Sequence, residues 1–179
     1  KTHYGMVAFL LSASNIMMPL MAFGVQNTMI RFYSKYTTAT ERDHFLSFML
    51  LMPLFLIIPI TTITYFFYDQ IAFLILQKNP EIKPFLWLIP VIGICMGYFE
   101  VYYAWVKVHM QSVVGNFISE VLVRTIIFCL LFSVHWNWLS KDGFIYALFG
   151  AYFLQFVAMK SYAIYVKRPI LSFKIPANV

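Results

Sequence analysis

The chain has 179 residues, of which 61% are hydrophobic, 20% aromatic and 11% charged, with a formal net charge of +6. Such a composition excludes a soluble domain, because long apolar runs on this background are transmembrane segments. The positive charge does not point to nucleic acid either: the basic residues sit between apolar runs, where they orient helices and meet anionic lipid.

The chain opens Lys1-Thr2-His3-Tyr4-Gly5 without an initiator Met. The first apolar run is too long for a signal peptide and has no small-residue cleavage site. The expectation is a fragment of a longer protein with an earlier span in front. That first run, Met6–Phe23, carries a polar stripe of Ser12, Asn15, Pro19, Ala22 and Gln26, with Pro19 placed to kink it. A polar turn over 37–43 leads to the second run, Phe45–Phe67, with Pro53 and Pro59 inside. Tyr68–Leu76 either extends that helix or lies along the interface. The turn 77–84 follows, then the third run, Phe85–Val106, the fourth, Phe117–His135, a Trp136-Asn137-Trp138 loop, and the fifth, Phe144–Tyr165. Each run is close to the roughly 20 residues that cross a bilayer core as helix. They are continuous rather than alternating, which excludes a transmembrane barrel. The expected fold is all-α: a single polytopic membrane helix bundle over 1–179 with five visible transmembrane helices.

Basic residues set the expected orientation. One side of the membrane holds Arg31, Lys35, Arg42, Lys107, Arg124, Lys160, Lys167, Arg168 and Lys174; the other holds Lys1, Lys78, Lys83 and Lys141. The positive-inside rule makes the richer side cytoplasmic, so the 37–42 loop and the tail after Lys167 should be inside. Aromatic residues gather at the run ends, as expected at headgroup depth: Phe32, Tyr33 and Tyr36, then Trp136 and Trp138, then Tyr162 and Tyr165.

The third run has the sharpest local pattern. Ile89, Gly93, Met96, Gly97, Glu100, Ala104 and Lys107 share one helical face, and Gly93 and Gly97 let another helix approach closely. Glu100 on that face looks toward protein or a water-filled cavity, which makes it a candidate ion-coupling group. Its plainer reading is a structural carboxylate paired with Lys107 or an aromatic hydroxyl. Glu120 and Arg124, four apart, fit an ion pair on one face. Either they neutralise each other while Arg124 snorkels to the cytoplasmic interface, or Arg124 lines a path for an anionic substrate. In the fifth run Gly143, Ala147, Gly150, Ala151 and Ala158 form an expected packing stripe. Cys95 and Cys129 read as small core residues, with neither a disulfide nor a metal site implied. The histidines are scattered at run ends without metal-ligand spacing, and no phosphate-binding glycine loop is present, so no cofactor and no catalytic group is expected.

Gly24-Val25-Gln26-Asn27-Thr28-Met29-Ile30-Arg31-Phe32-Tyr33-Ser34-Lys35-Tyr36 resembles the end of the second span in polysaccharide-biosynthesis (O-antigen type) flippases of the MATE-like superfamily. Tyr4-Gly5, Tyr102-Tyr103-Ala104 and the segment Val113–Arg124 with Glu120-Val121-Leu122-Val123-Arg124 are similar to that family too. The resemblance implies two bundles of about six helices around a cavity that opens alternately to each side, this chain being most of the first. It implies a non-enzymatic exporter in the inner membrane, acting on an oligosaccharide carried by a polyprenyl pyrophosphate. Arg31 and Arg124 are then the candidate partners of the pyrophosphate, with Asn15 and Asn27 as further cavity residues and Glu100 as the coupling acid. Expected partners are membrane lipid, the lipid-linked substrate and polysaccharide polymerase or transferase proteins, with no nucleic acid. The alternatives are a small-molecule or drug antiporter of the same superfamily, which an acidic cavity would favour, and a membrane-embedded glycosyl- or acyltransferase, which needs catalytic groups converging at an interface.

Overall fold

The computed structural model describes residues 2–77 and 80–169. Lys1, Lys78, Lys174 and the tail beyond residue 169, which entered the orientation count, lie outside the described residues. Every regular element among those described is helical: α1 (Thr2–Ala22), α2 (Val25–Phe32), α3 (Ala39–Phe66), α4 (Tyr68–Leu76), α5 (Leu88–Val108), α6 (Ser112–Asn116), α7 (Val123–His135) and α8 (Lys141–Val166). A π-helical turn, Phe117–Leu122, joins α6 to α7, and short 3-10 turns cover Tyr33–Lys35 and Pro80–Phe85. Five helical segments are long and apolar enough to cross a membrane: Gly5–Ala22, Ala39–Phe66, Ile82–Val108, Ser112–His135 and Asp142–Val166. They match the five apolar runs.

Local chemistry sets the helix limits. Thr38 caps α3 reciprocally: its hydroxyl accepts from the Glu41 N–H at 3.3 Å while the Glu41 carboxylate accepts from the Thr38 N–H at 3.4 Å. The second helix therefore begins six residues before the apolar run that announced it. Ser140 caps α8 by accepting from the Gly143 N–H at 3.0 Å. α1 passes through Pro19 and stops at Ala22, where Phe23 and Gly24 both take positive φ, 53° and 65°. The break thus falls after the proline, at a glycine suited to left-handed backbone. Gln26, expected on the first span's stripe, belongs to the separate helix α2. Tyr68–Leu76 is also a helix of its own, set off from α3 at Phe67.

α5 is the axis of the bundle, with α1, α8 and α2 packed around it and α7 against α8. Gly93 and Gly97 do what their spacing predicts. A Cβ at Gly93 would stand 3.1 Å from Met17 Cβ, and one at Gly97 would stand 3.1 Å from both the Ala22 nitrogen and Met21 Cβ. Side chains there would hold α1 away from α5. Ser14, wholly buried on α1, ties the same pair by hydroxyl contacts of 2.8 Å to Leu10 O and 3.2 Å to Ile89 O. Gly115 is pressed so closely on the Tyr103 ring that a side chain would overlap it, and the Tyr103 hydroxyl donates to Asn116 Oδ1. At the basic end Lys167 pairs with Asp43, joining α8 to α3, and the Tyr162 hydroxyl donates to Gln111 Oε1 at 2.8 Å.

Two packing expectations are corrected. α8 buries Phe144, Ile145, Leu148, Ala151, Gln155, Met159 and Ala163, whereas Gly150 is exposed with open space at its Cβ. Of the expected stripe, Ala151 is buried, Gly143, Ala147 and Ala158 are half-buried, and Gly150 faces open space, so the small residues make only part of the packing face. Cys95 is buried as expected, but Cys129 is exposed on α7.

Candidate functional site: a polar cavity between α1, α5, α7 and α8

A cavity of about 360 Å³ lies among α1, α5, the π turn, α7 and α8. Its polar groups are Asn15, Glu100, Ser119, Glu120, Arg124, Tyr152 and Gln155, set among Met18, Met96, Phe99, Val123 and Ile127. The elements explain why these groups converge. The glycine face of α5 holds α1 close, which brings Asn15 and Met18 opposite Met96 and Glu100. The π turn carries Ser119 and Glu120, and π turns recur at functional sites because they re-aim side chains within a helix. α8 supplies Tyr152 and Gln155, spaced three apart on its inner face.

Arg124 pairs with Glu120 across the end of the π turn, and their side chains are 77% and 59% exposed. Arg124 stands at the middle of the Ser112–His135 span, about 17 Å of helix from either end. The pair is the one that the four-residue spacing predicts. An exposed charge pair of this kind is unfavourable against hydrocarbon.

Glu100 is half-buried and lines the cavity as its helical face predicts. Lys107, its expected structural partner, instead holds its ammonium 3.8 Å from the centre of the Tyr103 ring. The ion pairs among the described residues are Glu120–Arg124 and Asp43–Lys167, neither of which involves Glu100.

A second, apolar cleft of about 540 Å³ runs between α1, α7 and α8, lined by Val7, Leu11, Ser12, Leu131, Val134 and Phe144 among others. Asn15 and Ile127 line both spaces. The polar cavity therefore continues into an apolar cleft toward the ends of the helices opposite the basic loops.

The cavity gathers Asn15, Glu100, Glu120 and Arg124 from the residues the sequence singled out. Asn27 and Arg31 are elsewhere, both exposed on α2. Gln155, only 7% exposed, was not foreseen. A lone amide in a long apolar run is the signal that marks it, by the same reasoning that marks Glu100. Ser119 and Tyr152 carry no comparable signal, since hydroxyls are frequent in membrane helices. Among the described residues no group of three His, Cys, Asp or Glu side chains comes together as a metal site would require.

The family model described as polysaccharide biosynthesis protein matches residues 1–178. The chain belongs to that family. Its place is thus in polysaccharide biosynthesis, as a membrane protein with five apolar helices long enough to span. Compared with curated proteins and with solved structures, the chain has no match.

Proposed function

We propose that this polysaccharide biosynthesis protein is a non-enzymatic flippase, moving a polyprenyl-pyrophosphate-linked oligosaccharide across the inner membrane for surface polysaccharides of the O-antigen type. The observation that carries the reading is the 77% exposed Arg124, which lines a polar cavity that continues past Asn15 and Ile127 into an apolar cleft. A pyrophosphate needs a cation with forked donors, and the guanidinium supplies one where hydrocarbon otherwise disfavours anions. Sugar hydroxyls find Asn15, Ser119, Tyr152 and Gln155 in the same cavity, and the apolar cleft suits a lipid chain. Arg31, exposed at the end of α2, serves as a first contact at the basic, cytoplasmic end. Glu100 is the group that takes up and releases a proton if transport is coupled. Polymerase or transferase proteins of the same process supply or consume the substrate.

One observation favours the antiporter reading. Glu100 and Glu120 outnumber Arg124 in the cavity, and an acidic cavity suits a cationic small molecule. The variants Arg124→Ala and Arg124→Lys separate the two in full-length protein. Under the flippase reading, Arg124→Ala lowers export of lipid-linked sugar by about tenfold or more, a loss of about 1.4 kcal/mol or more, and Arg124→Lys keeps part of it. Arg31→Ala slows export less. Wild-type export by Arg124→Ala, with efflux of a cationic dye that depends on Glu120, would establish the antiporter instead. Cysteine labelling at Thr38 reads the orientation independently: modification by an impermeant reagent in intact cells overturns the cytoplasmic placement of that loop.

A further inference from the structure

On the other flank of α1, away from the polar cavity, a separate groove of about 470 Å³ opens between α1, α3, α4 and the start of α5. Its origin is a divergence of α3. The buried residues of that helix are Phe45, Leu46, Ser47, Met49, Leu50, Pro53 and Ile57, none of them beyond Ile57. Beyond Ile57 the helix leaves the bundle: Ile58, Ile63, Tyr65 and Phe66 are exposed. Thr61 and Thr64 on α3 then face Met17 on α1, Trp87 just before α5 and Pro90 on α5 across the gap, and Ala72 of α4 closes the top.

We propose that this groove is a binding site for one acyl chain of a membrane phospholipid. The groove opens beside the exposed apolar surface of α3, where Phe55 and Ile58 are 72% and 64% exposed, a surface suited to hydrocarbon. Its walls are apolar, and the Thr64 hydroxyl is satisfied within α3 by donating to Ile60 O at 2.8 Å. No charged side chain lines the groove, so the lining offers no cation to a phosphate. α4 closes one end of the groove and packs on the Pro80–Phe85 turn. They carry exposed Asp69 and exposed Lys83, opposite charges that suit the ammonium and the phosphate of a zwitterionic headgroup. Tyr65, Tyr68 and Trp87 stand at the same end, as aromatic side chains do at headgroup depth. The volume is within the range of single-ligand sites. The chain acts as a wedge, supplying the outer half of α3 with the contacts that α1 and α5 do not make.

This inference is independent of the flippase reading. The test uses full-length protein reconstituted in phosphatidylethanolamine vesicles, re-extracted in mild detergent and weighed intact by native mass spectrometry. One retained phospholipid per protein is expected, and Thr61→Phe or Thr64→Phe should release it by filling the groove from the α3 side. Phe55→Ala, on the lipid face but outside the groove, should retain it. A photoreactive residue at Thr64 locates the occupant, and covalent attachment to the phospholipid is expected. Absence of a retained lipid, retention unchanged in both Thr variants, or attachment at Thr64 to another segment of the protein would each overturn the proposal. Sugar export remaining normal in Thr64→Phe would leave the assignment of the groove untouched.

Discussion

The third span, built on α5, and the fourth, built on α6, the π turn and α7, are alike in sequence and opposite in surroundings. The fourth is the more apolar, yet 61% of the third span's core window is buried within the protein against 11% of the fourth's. In water the more apolar helix would be the more buried. In lipid that driving force vanishes, because hydrocarbon solvates Leu and Phe as well as protein does. What buries α5 is its shape: Gly93 and Gly97 admit α1 to contact, Ser14 bonds across the gap, and Tyr103 receives Gly115. The fourth span carries Phe117, Phe128 and Phe132 outward, with the exposed Glu120–Arg124 pair among them.

The comparison breaks or sharpens at particular residues. The largest effect belongs to Gly97→Leu, which must push α1 backbone away from α5. A loss of about 3 kcal/mol or failure to fold is expected in thermal unfolding in detergent. A variant as stable as wild type would mean that small residues do not set the α5 contacts. Glu100→Gln comes next and acts on function. It should abolish proton dependence of transport at little change in melting temperature, with Glu120, Arg124 and Tyr152 as the other ionisable groups of the cavity. Transport that keeps its pH response in this variant removes Glu100 from any coupling role. Ser14→Ala should cost about 0.6 kcal/mol, the usual scale of a hydrogen bond between membrane helices, and double-mutant analysis with Gly93→Ala should show coupling across the same contact. The smallest effect is expected from Phe128→Leu on the exposed face of the fourth span, within about 0.5 kcal/mol of wild type. A large loss there would show that this face packs on protein in the full-length molecule.

Part of the site was legible because lipid makes polar residues conspicuous. Asn15, Glu100, Glu120 and Arg124 stand out in apolar runs for the same reason they must avoid hydrocarbon, and all four reach one cavity. Gln155 was equally visible in principle. Asn27 and Arg31, candidates through the family resemblance and placed beyond the first apolar run, sit on α2, because the left-handed pair Phe23–Gly24 ends α1 before them. No periodicity announces such a break; it depends on how α1 must leave α5 after Ala22. The stripe of Gly and Ala on α8 holds at Ala151 but not at Gly150: small residues permit a close approach, but a partner must be there to make it, and beside Gly150 none is.

The sequence by itself determined the number of spans, their order and the polar groups within them, since the cost of exposing unpaired backbone and charge to lipid acts residue by residue along the chain. Only the tertiary structure decided which helix lies at the centre, where α3 parts from the bundle and which polar groups share a cavity. Those outcomes depend on how helix surfaces fit one another, and in lipid hydropathy does not distinguish a surface that packs on protein from one that faces the membrane.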